Sequence, residues 1–124
     1  MYEKWKSRAF PYKIRTKCEH IFFTPREGGR MEETMQNEYE LKKVMCGIGK
    51  RIYDRNMVAA NDGNISVKLN DNEFLCTPTG VSKGFMTPDF ICKVDAQGNV
   101  IQANKGFRPS SEIKMHMRVY QKRP

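Results

Sequence analysis

Two hydrophobic periods occur along this chain, and each predicts a different kind of element. Near residue 45 the apolar side chains recur every three or four positions, as they do on one face of an amphipathic helix. They are Leu41, Val44, Met45, Ile48 and Ile52. Glutamates precede this run and basic residues follow it, so the charges suit both ends of the helix dipole. The pattern predicts a helix over residues 34–56.

After this helix the chain changes to short segments with a two-residue period, which predicts strands. Residues 61–64, Asn-Asp-Gly-Asn, form a strong turn signal, and residues 65–69 then alternate between apolar and polar. A second turn at residues 70–72 leads to Phe-Leu-Cys at residues 74–76. These two segments predict a β-hairpin.

The same reasoning predicts a second hairpin and a second helix. Residues 90–94 and 100–101 are rich in apolar side chains and flank a turn of sequence Asp-Ala-Gln-Gly-Asn. Further along, Ser110 offers a helix cap and Glu112 an early carboxylate. They predict a helix over residues 110–121.

The first thirty residues show neither period over a useful length. They hold eight basic and three acidic side chains, which is a large share of the net charge of +8. The chain therefore divides into a basic, poorly patterned extension, residues 1–30, and one patterned domain, residues 31–124. Residues 26–30, Arg-Glu-Gly-Gly-Arg, suit the purine-rich codons of a ribosome-binding sequence, so Met31 is an alternative start.

Length and composition exclude several classes of protein. The 124 residues suffice for about one domain, and no apolar run reaches the roughly 18 residues of a membrane span, so no membrane partner is expected. The four cysteines show no CxxC spacing, which favours reduced thiols in a cytoplasmic protein. A nucleic-acid-binding protein is the alternative that the charge suggests. Because that charge lies mainly in residues 1–30 without a binding motif, no nucleic-acid partner is expected.

Three turns combine a glycine or another small residue with a neutral hydrogen-bond donor, as a phosphate pocket does. They are Gly63-Asn64, Thr79-Gly80 and Ser110-Ser111. The third opens the predicted second helix, where unpaired N–H groups attract anions. Each also has a plain structural interpretation, as a turn, a strand end and a helix cap, and the pattern alone leaves both interpretations open.

Several short motifs, in this order, resemble the class II aldolase/adducin family, and most of all its fuculose-phosphate aldolase branch. The motifs are Gly-Asn-Ile-Ser at residues 63–66, Thr-Pro-Thr-Gly at 77–80 and Pro-Ser-Ser-Glu at 109–112. Residues 115–120 and the Arg-Pro at 123–124 fit the same pattern. One tetrapeptide is weak evidence, but the ordered set is specific.

The resemblance covers about residues 37–124 and does not extend to residues 1–30. It implies an α/β fold, a three-layer α/β/α sandwich with a mostly antiparallel sheet, of which this chain is a truncated N-terminal portion. It also implies that the parent enzyme is a homotetramer.

The resemblance further implies a site and a reaction. Gly63, Asn64, Thr79, Gly80, Ser110 and Ser111 would bind the substrate phosphate. Glu112 would be both a zinc ligand and the general acid/base. The implied enzyme is a zinc-dependent aldehyde-lyase that cleaves a phosphorylated ketose to dihydroxyacetone phosphate and an aldehyde.

The chain departs from the family pattern in its zinc-ligating residues. The family's His-x-His zinc ligands are expected beyond Pro124, and the chain's histidines are His20 and His116 alone. His116 lies four residues after Glu112 and could share a metal with it, but local packing is the alternative. We therefore expect an inactive fragment.

Two other functions within the family are weighed against this one. A non-catalytic, adducin-like interaction module is disfavoured because the phosphate set and Glu112 are retained. The sugar-phosphate epimerases of the family tend to carry aspartate at the position of Glu112, so the glutamate favours an aldolase.

Overall fold

The computed structural model describes residues 12–17, 20–25 and 38–123 of the chain. The elements, in chain order, are β1 (Tyr12–Lys17), β2 (His20–Pro25), α1 (Glu38–Asp54), β3 (Asn64–Lys68), β4 (Phe74–Cys76), a short 3-10 helix (Pro88–Phe90), β5 (Cys92–Val94), β6 (Val100–Gln102) and α2 (Ile113–Lys122). Within these ranges, neither α-helix is long and apolar enough to cross a membrane. The fold is α/β.

The strands form one mixed sheet whose spatial order follows the sequence from β1 to β6. Neighbouring strands are antiparallel except for β2 and β3, which are parallel. A parallel pair needs a long crossover, and the chain between β2 and β3 includes α1. The start of β3 therefore lies between the start of β2 and the end of β4, at one end of the sheet.

The two helices pack against opposite faces of the sheet, because successive side chains of a strand point to opposite sides. The cluster with α1 contains Ile21, Phe23, Leu41, Met45, Ile48, Ile65, Val67 and Leu75. The cluster with α2 contains Phe22, Phe74, Cys76, Cys92, Val94, Ile113, Met117 and Tyr120. Helices on both faces agree with the layers that the family resemblance implies.

The structure of the N-terminal segment differs from the one predicted from the sequence. Residues 1–30 were expected to be a poorly patterned extension, yet β1 and β2 belong to the sheet. Ile21, Phe22 and Phe23 are consecutive and all buried, with Phe22 on one face and its neighbours on the other. A strand covered on both faces has no two-residue period, so the pattern does not reveal it. Residues 1–11, 18–19 and 26–30 lie outside the described residues.

Helix α1 agrees with the predicted helix over most of its length. The predicted start, residues 34–37, lies outside the described residues, and the helix ends at Asp54 instead of residue 56. Asn56 has a φ of 57°, and its N–H donates to the Tyr53 carbonyl at 3.0 Å while the Met57 N–H donates to Ile52 at 2.9 Å. This pair of bonds is a Schellman motif with asparagine in the left-handed position.

The first hairpin lies where the sequence predicts it, and the second begins later. Phe90 was expected in a strand over residues 90–94 but ends a 3-10 helix that Pro88 opens. Proline fixes φ near its helical value and so favours the first position of a helical turn. Strand β5 then begins at Cys92.

Candidate anion-binding site

The three predicted turns meet at the end of the sheet where β3 begins and β4 ends. Backbone hydrogen bonds join them: the Thr77 N–H donates to the Ile65 carbonyl at 3.0 Å, and the Ser110 N–H donates to the Thr77 carbonyl at 3.2 Å. The Thr79 N–H donates to the Arg108 carbonyl at 2.9 Å. The segment before α2 is therefore fixed against the end of β4.

Side chains of two predicted residues, Asn64 and Ser110, are in direct contact. The Ser110 hydroxyl donates to the Asn64 Oδ1 atom. The same hydroxyl oxygen accepts the Glu112 N–H at 3.3 Å. Because the carboxamide oxygen of Asn64 faces Ser110, its two Nδ2–H donors point elsewhere, and no hydrogen bond within the described ranges uses them. Asn64 is thus held with its donors available to an anion.

Gly63 and Gly80 both have backbone conformations that favour glycine. Their φ angles are 93° and 73°, in the left-handed region where a side chain is strained. A Cβ atom at Gly80 would have no described atom within 4 Å, so the space beside this turn is open. The turn at Gly80 therefore leaves backbone accessible to a ligand, whereas Gly63 is buried.

The start of α2 differs from the predicted cap. The helix begins at Ile113 with Glu112 as the N-cap residue, and no side chain caps it. Ser110, the predicted cap, instead accepts the Ile113 N–H with its backbone carbonyl at 3.1 Å. The serine hydroxyl is engaged with Asn64 because the two turns lie side by side. Ser111 and Glu112 are exposed beside this turn.

A buried polar network lies between the sheet and α2. His116 is 1% exposed, and its Nδ1 atom lies 2.6 Å from the Ser66 hydroxyl. Its Nε2 atom lies 3.0 Å from the His20 Nδ1 atom of β2. Burial, assisted by the nearby His20, lowers the pKa of His116 to about 3, so the imidazole is neutral near pH 7.

The neutral imidazole allows one consistent set of hydrogen bonds. His20 donates to His116, His116 donates to Ser66, and Ser66 donates to the Tyr120 hydroxyl at 2.8 Å. The Tyr120 hydroxyl donates to the Phe23 carbonyl at 3.4 Å. Both ring nitrogens of His116 are therefore engaged inside the protein, which is the local packing that the sequence analysis offered as the alternative to metal binding.

The described residues do not fit a zinc site. Catalytic zinc needs three protein ligands, and in residues 20–25 and 38–123 no group of three histidine, cysteine, aspartate or glutamate side chains is placed to hold a metal ion. Glu112 is exposed, whereas His116 is buried with both ring nitrogens engaged. The expected zinc ligands therefore remain a prediction.

The sequence analysis missed three residues that shape this region. Thr77 is fully buried, and its hydroxyl accepts the Ile65 N–H at 3.2 Å. It belongs to the Thr-Pro-Thr-Gly motif, so the motif was a signal for it. Lys83 and His20 lie next to no motif, and nothing in the pattern distinguishes them from exposed residues of the same type.

The chain belongs to the class II aldolase and adducin family. The model of the class II aldolase and adducin N-terminal domain matches residues 43–124. This range contains all three turns and Glu112.

Two relatives indicate which activities occur among similar proteins. An L-fuculose phosphate aldolase of Methanocaldococcus jannaschii is 42% identical over 82 residues, which cover 66% of this chain and 42% of the aldolase. A 3-oxo-tetronate 4-phosphate decarboxylase of Haemophilus influenzae is 36% identical over 83 residues, which cover 67% of this chain and 38% of the decarboxylase. The chain thus spans about two fifths of the length of these relatives.

Solved structures agree with the fold. An L-fuculose 1-phosphate aldolase superposes with a TM-score of 0.61 at 28% identity, over 68% of this chain and 40% of the aldolase. The L-fuculose 1-phosphate aldolase of Glaciozyma antarctica superposes with a TM-score of 0.66 over 81% of this chain and 41% of that protein, at 20% identity. This second likeness concerns the fold alone.

Proposed function

We propose that this protein carries the phosphate-binding part of a zinc-dependent aldehyde-lyase of the fuculose-phosphate aldolase type. The observation that supports this most is the contact of Ser110 with Asn64 beside the open turn at Gly80. Two turns that the family motifs contain are thereby joined into one polar surface at a sheet end. The proposed phosphate ligands are Gly63, Asn64, Thr79, Gly80, Ser110 and Ser111.

Glu112 is the proposed acid/base in this reaction. Aldol cleavage of a ketose 1-phosphate removes the proton of the C4 hydroxyl, forms the aldehyde C4=O bond and breaks the bond between C3 and C4, whose electron pair moves to the C2 carbonyl. The enediolate that remains must gain a proton at C3 to become dihydroxyacetone phosphate. Glu112 directly follows the proposed phosphate ligand Ser111 and is exposed, so it can reach a substrate held there.

Decarboxylation is the second candidate, because a 3-oxo-tetronate 4-phosphate decarboxylase is 36% identical to this chain. Loss of carbon dioxide from that substrate breaks the bond between C1 and C2 and leaves the same enediolate. The proposed roles of the phosphate ligands and of Glu112 are therefore the same for both reactions. The two differ only in the group that leaves.

Zinc, with Glu112 as one ligand, and a homotetrameric, cytoplasmic parent enzyme are parts of the proposal that come from the family resemblance alone. Zinc would polarise the substrate carbonyl when bound. The described residues alone do not fit a zinc site, so the other ligands would come from elsewhere in the parent enzyme.

A chimera tests the proposed function. The 124-residue chain would be joined to the part of the Methanocaldococcus aldolase that follows its matched region. With zinc, the chain alone should release no aldehyde from fuculose 1-phosphate, and the chimera should release it. Glu112→Gln in the chimera should lower kcat by about 10²–10⁴-fold, as loss of a general acid/base does.

The matched control is Glu73→Gln, at a carboxylate that accepts a hydrogen bond from Asn70 in the hairpin turn. It should leave kcat unchanged. Turnover by the chain alone, or full activity of the Glu112→Gln chimera, would contradict the proposal. Release of carbon dioxide from 3-oxo-tetronate 4-phosphate, without aldehyde release from fuculose 1-phosphate, would favour the decarboxylase.

A further inference from the structure

Lys83 is a charged side chain buried behind the anion-binding turns. It is 1% exposed. Its Nζ atom donates to the Val81 carbonyl at 3.1 Å and to the Asn61 carbonyl at 3.5 Å. Burial lowers the pKa of Lys83, and the nearby Asp62 carboxylate opposes that shift. Because both hydrogen-bond partners are carbonyl acceptors, they too favour the charged ammonium.

A lysine in this position is unusual for a residue that only fills space. Lysines normally bury the aliphatic part of the side chain and keep the ammonium in water, because desolvating the charge is costly. Here helix α1 covers the lysine's loop: a Cβ atom at Gly49 would lie 2.6 Å from the Lys83 carbonyl oxygen. The close approach of α1 at a glycine keeps the loop that carries Lys83 packed against the helix.

The two carbonyls that Lys83 contacts belong to the two glycine turns of the site. Asn61 lies two residues before Gly63, and Val81 directly follows Gly80. One ammonium group therefore connects the turn before β3 with the turn after β4. The third turn is attached to the second by the hydrogen bond between the Thr79 N–H and the Arg108 carbonyl.

We propose that Lys83 is a positioning residue of the anion site. Its ammonium fixes the distance between the turns at Gly63 and Gly80, and it places a positive charge on the protein side of a bound phosphate. This inference deepens the proposed function and rests on it, since the site is taken to bind a phosphorylated substrate.

The affinity for dihydroxyacetone phosphate, measured by calorimetry on the full 124-residue chain, tests the inference. Lys83→Met keeps the length of the side chain and removes its donors and charge. The Kd should rise about tenfold, the scale of one hydrogen bond to a charged group. If Lys83 had a purely structural role, Lys83→Met would lower the free energy of unfolding and leave the Kd of the folded protein unchanged.

The matched control is Lys93→Met. Lys93 lies on β5, the strand beyond β4. Its side chain is likewise largely buried, and it donates to Glu38 of α1 at 3.1 Å. The control removes the same charge, so a general electrostatic effect would raise the Kd of both variants equally. We expect the Kd of Lys93→Met to remain within about twofold of the wild-type value.

The outcomes separate this inference from the proposed function. If the wild-type chain does not bind dihydroxyacetone phosphate, the proposed function fails. If it binds and Lys83→Met binds equally well, or if both lysine variants weaken alike, only the role of Lys83 is overturned.

Should Lys83→Met not fold, the wild-type chain still provides a test. In a proton–nitrogen spectrum of the lysine ammonium groups, added dihydroxyacetone phosphate should shift the Lys83 resonance and leave that of Lys93 in place. A Lys83 resonance that does not move at saturation would overturn the inference.

Discussion

At the scale of single residues, neutral His116 is the centre of the buried hydrogen-bond network between the sheet and α2. Its imidazole accepts from His20 and donates to Ser66, so it joins β2, β3 and α2. A second proton on the ring would turn Nε2 into a donor facing the His20 nitrogen. Burial, together with this unfavourable contact with His20, is why the folded protein disfavours the charged form.

The folded-state pKa of about 3 predicts an acid-dependent stability. It lies below the value of 6.5 for an ordinary histidine, so as the pH falls below 6.5 the unfolded chain takes up the proton first. The contribution of neutral His116 to the free energy of unfolding is complete above pH 6.5. It is lost as the pH falls towards 3, by up to about 1.4 kcal/mol per pH unit. Urea unfolding of the wild-type chain between about pH 7 and pH 5 would measure this loss.

His116→Gln is the comparison for this prediction. The variant should be less stable near pH 7 because the network is broken, but its stability should depend less on pH over the same interval. Carboxylates titrate in both proteins, so the difference between the two pH slopes belongs to His116. Equal slopes would show that this histidine does not titrate as described.

At the scale of single residues, the sequence identified those with a motif and missed those without one. Asn64 and Ser110 were predicted from their turns, and they are in contact. Lys83 could not be predicted, because its burial depends on α1 approaching from far along the chain. The role of His20 likewise depends on a parallel strand pairing that local patterns do not encode.

At the scale of elements, β2 is the strand in which the structure differs most from the sequence prediction. It pairs with β3 through the registers Ile21 with Ile65 and Phe23 with Val67. Its Phe22 packs on the other face, with ring centroids 4.2 Å from His116. The strand therefore contributes to both cores at once.

This placement predicts what removal of the N-terminal segment does. A chain that begins at Met31 would lose Ile21, Phe22 and Phe23, each of which contributes about 1.5–3 kcal/mol of burial. It would also expose the unpaired edge of β3, which invites association. Since domains are stable by only about 5–15 kcal/mol, we expect residues 31–124 to aggregate or to unfold without cooperativity.

Size-exclusion chromatography and thermal unfolding of chains 1–124 and 31–124 would check this prediction. The longer chain should unfold cooperatively. A monodisperse shorter chain of equal stability would show that β1 and β2 are dispensable, and it would favour Met31 as the start.

Elements with a clear period were predicted and the others were not. Helix α1 buries one face, and strand β3 alternates the apolar Ile65 and Val67 with the polar Ser66, so their apolar residues recur at the expected spacing. The hairpin of β3 and β4 is buried on both faces, and its turn residues made it recognisable. Strand β2 buries two faces and shows no alternation. The start of β5 was misplaced because the apolar Phe90 continues the strand pattern, whereas Pro88 makes it part of a 3-10 helix.

At the scale of the whole molecule, the fold brings three separate turns to one end of the sheet. The starts of β2 and β3, the end of β4 and the start of α2 all lie there. Within the described ranges this end has the neutral donors of an anion site and an open turn at Gly80, but no cluster of metal-ligating side chains. The central claim is therefore that these turns bind a phosphate group.

A titration of the nitrogen-15-labelled 124-residue chain with inorganic phosphate tests this claim most directly. We predict saturable binding with the largest amide shifts at residues 63–64, 79–80 and 110–112. Ser110→Ala should weaken binding about tenfold, because the hydroxyl that orients the Asn64 carboxamide towards the anion is lost. Thr87→Ala, at an exposed threonine before the 3-10 helix, should leave the affinity unchanged. Absence of saturable binding, or amide shifts confined to other parts of the chain, would contradict the account.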